Sequence, residues 1–216
     1  MQTLKLEVLR KELPTTCQIL AVSKLQAAEK IRELWSQGQV RFAENYVQEA
    51  LEKQEQLRDL KIEWHFIGRL QKNKVKLVVG NFELIHSVDS FELAKAINEA
   101  AQKLGKRQKI LIQLNLAQEQ SKGGLPSEEL PEVLNQIKAL NNIQVIGLMT
   151  MPPLFENAED SRPYFIQLRS LLEQQKINFP SLQILSMGTS SDFRVAAESG
   201  STLVRLGTIL FGERIK

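Results

Sequence analysis

The stretch Ile19-Leu20-Ala21-Val22-Ser23-Lys24-Leu25-Gln26-Ala27-Ala28 decides between two folds. Its first four residues are a short apolar run, as expected of a strand buried on both faces. Ser-Lys and an amphipathic pattern follow, not the Gly-rich turn that opens a dinucleotide-binding sheet. Seven more short apolar runs come after it, at Val40–Ala43, Trp64–Ile67, Leu84–Val88, Ile110–Leu114, Val145–Met149, Leu182–Leu185 and Leu203–Leu206. Helical patterns lie between them, among them Ala27–Gln37, Tyr46–Leu60, Ser90–Leu104, Ser127–Leu140 and Arg162–Gln175. An open doubly wound sheet and a closed barrel both alternate in this way. The count of eight strands and the missing Gly-rich turn predict a single-domain α/β chain, a (β/α)8 TIM barrel over residues 1–216, near the lower end of barrel lengths. Asp89-Ser90 and Ser127 mark helix starts, and Pro152-Pro153 breaks the chain after the sixth strand.

Composition narrows the function classes. Hydrophobic residues make up 43% of the chain and charged residues 25%, as in ordinary globular proteins. The net charge of +3 comes from basic residues spread along the chain, so charge gives no reason to expect a nucleic-acid partner. The single cysteine, Cys17, rules out an intrachain disulfide framework and a Cys-based zinc site, and is expected to be structural. With two histidines in the chain, no metal site is expected. The opening residues MQTLKLEVLRKEL lack the apolar core of a signal peptide, and no run approaches the ~18 apolar residues that span a bilayer. A cytoplasmic protein with no membrane partner is expected.

In a barrel, chemistry gathers at the C-terminal ends of the strands. Lys24, Asn45, Gly68, Asn115, Met149, Gly188 and Gly207 then share one rim. A strand-end lysine facing the mouth is partly desolvated, which favours the neutral amine that forms Schiff bases. Taken alone, Lys24 is equally open to a solvated or salt-bridged role. Ser186-Met187-Gly188-Thr189-Ser190-Ser191-Asp192 is expected to follow the seventh strand, as an anion-binding turn or as an ordinary helix cap. Val204-Arg205-Leu206-Gly207-Thr208 ends the eighth strand with Arg205 facing the mouth. Barrels commonly bind phosphate with the loops after strands seven and eight. A phosphate there, with a lysine on the neighbouring first strand, suits an aldehyde carrying a phosphate, such as pyridoxal 5'-phosphate. Weaker signals are His65, a general base or a core residue; Lys72, Lys74 and Lys76, an anion-binding or merely solvated face; and Ser121-Lys122-Gly123-Gly124, a lid over the rim.

Several stretches in order carry a resemblance to one family. They are Ala21-Val22-Ser23-Lys24, Glu44-Asn45-Tyr46-Val47-Gln48-Glu49, His65-Phe66-Ile67-Gly68 with Leu70-Gln71 and Asn73-Lys74, Gly147-Leu148-Met149, Met187-Gly188 with Ser190 and Asp192, and Arg205-Leu206-Gly207-Thr208 with Phe211-Gly212. The chain resembles, over nearly its whole length, the single-domain pyridoxal phosphate homeostasis protein family, which is similar to the barrel domain of alanine racemases. The resemblance implies a fold-type III pyridoxal phosphate protein. It implies that Lys24 holds the cofactor as an internal aldimine, and that Ser190 and the backbone of Gly207 and Thr208 bind the phosphate, with further contacts from Thr189 and Ser191. Arg205 would face the pyridine nitrogen, and Asn45 and Met149 would line the ring pocket. The chain departs from the family at Ala43, where Gly is usual, at Thr189, where Met is usual, and at Leu25-Gln26-Ala27-Ala28, where a proline-containing turn is common. No implied anchor is lost.

An arginine at the ring nitrogen weighs against catalysis, because it disfavours the pyridinium that makes the cofactor an electron sink. Racemases compensate with a second acid/base group, commonly a tyrosine from another domain. Tyr46 and Tyr164, the only tyrosines, are not evident substitutes. The expectation is therefore a monomeric carrier with no catalytic residue, which buffers the cofactor or delivers it to pyridoxal phosphate-dependent apoenzymes. The alternatives are an amino-acid racemase with Lys24 as one base, and a cofactor-free Schiff-base aldolase.

Overall fold

In the computed structural model, which describes residues 6–119 and 123–212, eight parallel strands close into a barrel in sequence order. A helix, α1 (Leu6–Glu12), precedes the first strand. The chain then runs β1 (Gln18–Val22), α2 (Ala28–Ser36), β2 (Arg41–Glu44), α3 (Val47–Gln56), β3 (Glu63–Phe66), α4 (Val75–Val78), β4 (Leu84–Val88) and α5 (Phe91–Lys103). It continues β5 (Gln108–Leu114), α6 (Leu130–Ile137), β6 (Ile143–Thr150), α7 (Arg162–Lys176), β7 (Ile184–Thr189), α8 (Phe193–Glu198), β8 (Leu203–Leu206) and α9 (Thr208–Phe211). β8 closes on β1, with Leu20 opposite Arg205 and Ala21 opposite Leu206. The closed ring excludes the open sheet.

The helices bury stripes set by their own sequence. In α5 these are Leu93, Ala94, Ile97 and Ala101, and Ser90 caps the helix by accepting the Leu93 N–H at 3.3 Å. In α6 they are Leu130, Val133, Leu134 and Ile137. Ser127 starts a single 3-10 turn that leads into α6. The main core lies between strands and helices and contains the fully buried Phe42, Phe66 and Phe165. Burying each such ring stabilises the fold by about 1.5–3 kcal/mol.

The barrel interior is different. Two small apolar clusters, Leu20-Val22-Ala43-Leu203 and Leu84-Leu111-Met149, share it with a chain of polar side chains. Arg205 Nη1 donates to Ser186 Oγ at 2.8 Å and to Ser186 O at 2.7 Å, and Nη2 donates to Thr150 O at 2.9 Å. Ser186 Oγ lies 3.0 Å from His86 Nδ1, and His86 Nε2 lies 3.0 Å from His65 Nδ1. Ser186 Oγ can accept from Arg205 and donate its own proton to His86 Nδ1, an arrangement in which His86 would carry its proton on Nε2 and donate it to His65.

This interior corrects the expected seventh strand. Ser186 through Thr189 belong to β7 and do not follow it. Polar residues read as a loop here because an inward-facing serine looks like a turn residue until its partners inside the barrel are known. The stretch that carries Lys72, Lys74 and Lys76 is a 3-10 turn, Lys72–Lys74, followed by the short α4.

Candidate functional site

At the C-terminal mouth of the barrel lies a cavity of about 690 Å³. Every residue expected to contact the cofactor lines it: Lys24 after β1, Asn45 after β2, Met149 on β6, Thr189, Ser190 and Ser191 around the end of β7, and Arg205, Gly207 and Thr208 at the end of β8. Ring closure makes β7, β8 and β1 consecutive, so residues far apart in sequence form one wall.

Two glycines make this packing possible. A Cβ on Gly68 would sit 2.0 Å from the Asn45 carbonyl oxygen, so only glycine lets the end of β3 lie against the backbone of Asn45. Gly188 has φ +91°, and a Cβ there would meet the Ala196 Cβ at 2.4 Å, which seats α8 directly behind the 189–192 turn.

The turn at the end of β7 is held by Asp192, whose Oδ1 accepts from Thr189 N at 2.6 Å and from Thr189 Oγ1 at 3.0 Å. Ser190 Oγ bridges to the next loop, accepting from Gly207 N at 3.2 Å and Ile209 N at 3.4 Å. Among the described residues, the backbone N–H groups of Ser190, Ser191 and Thr208 donate to no acceptor. Backbone donors converging beside hydroxyls make an anion-binding concavity. The Thr189 hydroxyl, tied to Asp192, is part of the turn's own frame.

Arg205 forms the floor. It is 5% exposed and pairs only with neutral oxygens among the described residues. Burial pulls its pKa down to about 10, opposed by the charge of Asp192, so it remains cationic at neutral pH. Beneath it, burial drives His65 down to about 3, reinforced by Arg41 and Lys109. His86 falls well below its ordinary value through burial, His65 and Arg205. Both imidazoles are neutral. His65 is therefore a core residue, not a base in the cavity.

Sequence reading missed part of the wall. Ser87 lines the cavity, is 3% exposed, and among the described residues its hydroxyl has no hydrogen-bond partner. Strict alternation along β4 would not single it out. A register shift between Ile85 and Val88 interrupts that alternation, and such bulges re-aim side chains. The Asn45 Oδ1 is also buried without a partner. Arg69, Asp89 and Gln113 complete the side made by β3–β5, where Gln113 Nε2 donates to Gly123 O at 2.6 Å. Met151 and Leu154 add exposed apolar surface at the mouth.

Other candidates lie elsewhere. Lys72, Lys74 and Lys76 do not line the cavity. Cys17 is buried at the opposite end of β1, and desolvation pushes its thiol up to about 11, which leaves it protonated and unreactive. Ser121 and Lys122 of the expected lid fall outside the described residues, while Gly123 reaches the cavity wall. Neither tyrosine lines the cavity: Tyr46 is 53% exposed, and Tyr164 stacks on Phe155. Among the described residues, no helix is long and apolar enough to cross a membrane, and no cluster of three or more His, Cys, Asp or Glu could hold a metal.

Comparisons with known proteins bear on the family and the fold. The family model described as alanine racemase, N-terminal domain, matches residues 4–215. The pyridoxal phosphate homeostasis protein of Aquifex aeolicus (strain VF5) is 49% identical over 197 residues, covering 91% of this chain and 86% of that protein. The protein of the same name from Homo sapiens is 41% identical over 209 residues, covering 91% and 76%. The solved structure of PipY from Synechococcus elongatus PCC7942 with PLP bound superposes with a TM-score of 0.90 at 40% identity, covering 96% of this chain and 98% of that one. An alanine racemase from Clostridium difficile 630, at 19% identity and a TM-score of 0.77, shares the fold; this chain covers 56% of it.

Proposed function

Because the chain belongs to the pyridoxal phosphate homeostasis protein family, built on the alanine racemase N-terminal domain, we propose that it binds pyridoxal 5'-phosphate in this cavity. Lys24 would hold the cofactor covalently as a Schiff base, and the protein would buffer or deliver it without substrate turnover. The observation that carries the reading is the closure of β8 on β1, which brings Lys24 into the same cavity as the donor-rich loops after β7 and β8.

The residues present fit the group. The unpartnered N–H groups of Ser190, Ser191 and Thr208, with the Ser190 hydroxyl, would take the phosphate. Met149 supplies an apolar wall for the ring, and Asn45 and Ser87, which line the same cavity, carry buried polar atoms, Oδ1 and Oγ, with no partner among the described residues. When bound, the cofactor supplies an aldehyde that an amine can hold reversibly and a ring that withdraws electrons if its nitrogen is protonated. Arg205, a fixed buried cation that would face that nitrogen, disfavours the proton. A racemase would also need a second acid/base group, and neither tyrosine lines the cavity. The reading takes residues 1–216 as one binding domain of a cytoplasmic monomer, with pyridoxal phosphate-dependent apoenzymes as recipients.

The test is incubation with pyridoxal 5'-phosphate, borohydride reduction and peptide mapping. One label, on Lys24, is expected, together with deuterium exchange at amino-acid Cα no faster than with free cofactor. Absence of a label, or enzyme-scale exchange, would reject the reading. Ser87→Ala removes a hydroxyl that has no partner among the described residues. Its melting temperature should match the wild type, while cofactor affinity falls about 2- to 10-fold, the worth of one hydrogen bond. Equal affinity would remove Ser87 from the site.

A further inference from the structure

The turn that presents Lys24 is gripped from below by a second lysine. Gln26 N–H donates to Ser23 O at 3.0 Å, which makes Lys24 and Leu25 the central pair of a four-residue turn. Leu25 adopts φ 59°, a left-handed conformation natural to glycine and unfavourable for leucine. Something must hold the chain there.

Lys53 sits on the buried stripe of α3 with Val47 and Ala50, and is only 6% exposed. Its Nζ donates to Ser23 O at 2.6 Å, to Glu44 Oε1 at 2.8 Å and to Glu49 Oε1 at 2.6 Å. The same Glu49 oxygen accepts the Leu25 N–H at 2.6 Å, and Ser23 Oγ donates to Glu44 Oε1 at 2.7 Å. One ammonium thus ties down the residues on both sides of Lys24. Glu44 is fully buried, and its Oε2 has no partner among the described residues. Taking three charged groups from water is expensive, and this cluster lies under the turn whose lysine enters the cavity.

We propose that Lys53, acting through Ser23 and Glu49, is a positioning residue that aims the Lys24 amine into the cavity; this rests on the covalent role given to Lys24 above. A buried clamp holds the turn in its left-handed geometry before any ligand arrives. The amine is then presented without the turn having to be reordered.

Two probes separate positioning from general damage. Pyridoxal 5'-phosphate reports attachment at Lys24. Pyridoxine 5'-phosphate carries an alcohol in place of the aldehyde and reports ring and phosphate anchoring alone. Lys53→Met should slow borohydride-trapped attachment at Lys24 by about 10- to 100-fold, the scale on which a misplaced reacting group acts, with pyridoxine 5'-phosphate affinity kept within about twofold. Lys53→Arg should recover part of the rate. So should adding Leu25→Gly to Lys53→Met, because glycine takes the left-handed turn unaided. If Lys53→Met fails to fold, Glu49→Ala, which removes only the partly exposed arm of the clamp, should show the same separation of the two probes. Wild-type attachment rates in the folded variants, or equal losses for both probes, overturn the proposal. A wild-type chain that attaches nothing at Lys24 overturns the parent reading and this one together, and so is told apart from failure of the clamp alone.

Discussion

Lys24→Ala should bind pyridoxal 5'-phosphate yet yield no borohydride-stable adduct and no visible absorption band of a Schiff base. The substitution removes the one lysine amine that lines the cavity among the described residues, and leaves the loops themselves untouched, since none of the hydrogen bonds that frame them involves Lys24. Charge-assisted hydrogen bonds from Ser190, Ser191 and Thr208 would be worth about 1.5–3 kcal/mol each. Together they should keep binding in a range of about micromolar to millimolar. Equilibrium dialysis with pyridoxine 5'-phosphate should therefore give nearly the wild-type affinity, while trapping is abolished. An adduct that survives the substitution would place the attachment on another lysine. Loss of pyridoxine 5'-phosphate binding would mean that the phosphate loops are not the anchor.

Stability should fall steeply as pH drops from 6.5 to 5, before most carboxylates titrate. His65 has a folded pKa of about 3 against an ordinary value of 6.5, and His86 is displaced in the same direction. Below pH 6.5 the unfolded chain binds protons that the folded chain refuses. Stability is thus fully present above 6.5 and is lost progressively as pH falls toward the folded values. Each histidine contributes about 1.4 kcal/mol per pH unit across that window. His65 alone can therefore remove about 2 kcal/mol by pH 5, and His86 adds to the loss in the same direction, against a typical total of about 5–15 kcal/mol. Burial raises the Glu44 pKa, which works in the opposite direction and offsets part of the loss. The chain has no other histidines, so the window belongs to this pair. Urea midpoints at pH 6.5, 6.0, 5.5 and 5.0 measure the slope, and His65→Gln should reduce it by about half. A flat profile would show that the imidazoles reach solvent.

The part of the site legible in the sequence is the part that recurs along one strand end or one loop. Lys24, the 189–191 turn and Gly207-Thr208 each announce themselves through residue types out of place after an apolar run. Ser87 does not, because the β4 bulge that turns it into the cavity leaves no trace in an apolar stretch reading Leu-Ile-His-Ser-Val. Lys53 is missed for a related reason. A lysine in a helix reads as solvent-facing, and only the carboxylates of Glu44 and Glu49 brought together around it explain its burial.

The alternation of eight apolar runs with amphipathic helices, the missing Gly-rich turn and the ordered motifs determined the barrel, the rim and most of its candidate anchors, because those signals are local and periodic. Closure of β8 on β1, the polar chain from His65 to Arg205 inside the ring, and the clamp beneath Lys24 were decided by tertiary structure alone. Closure pairs Leu20 with Arg205, the polar chain joins residues 19 to 100 positions apart, and the clamp joins Lys53 to Ser23, 30 positions away. A side chain's partners across a closed sheet, unlike its own helix or strand periodicity, are not written in its neighbours.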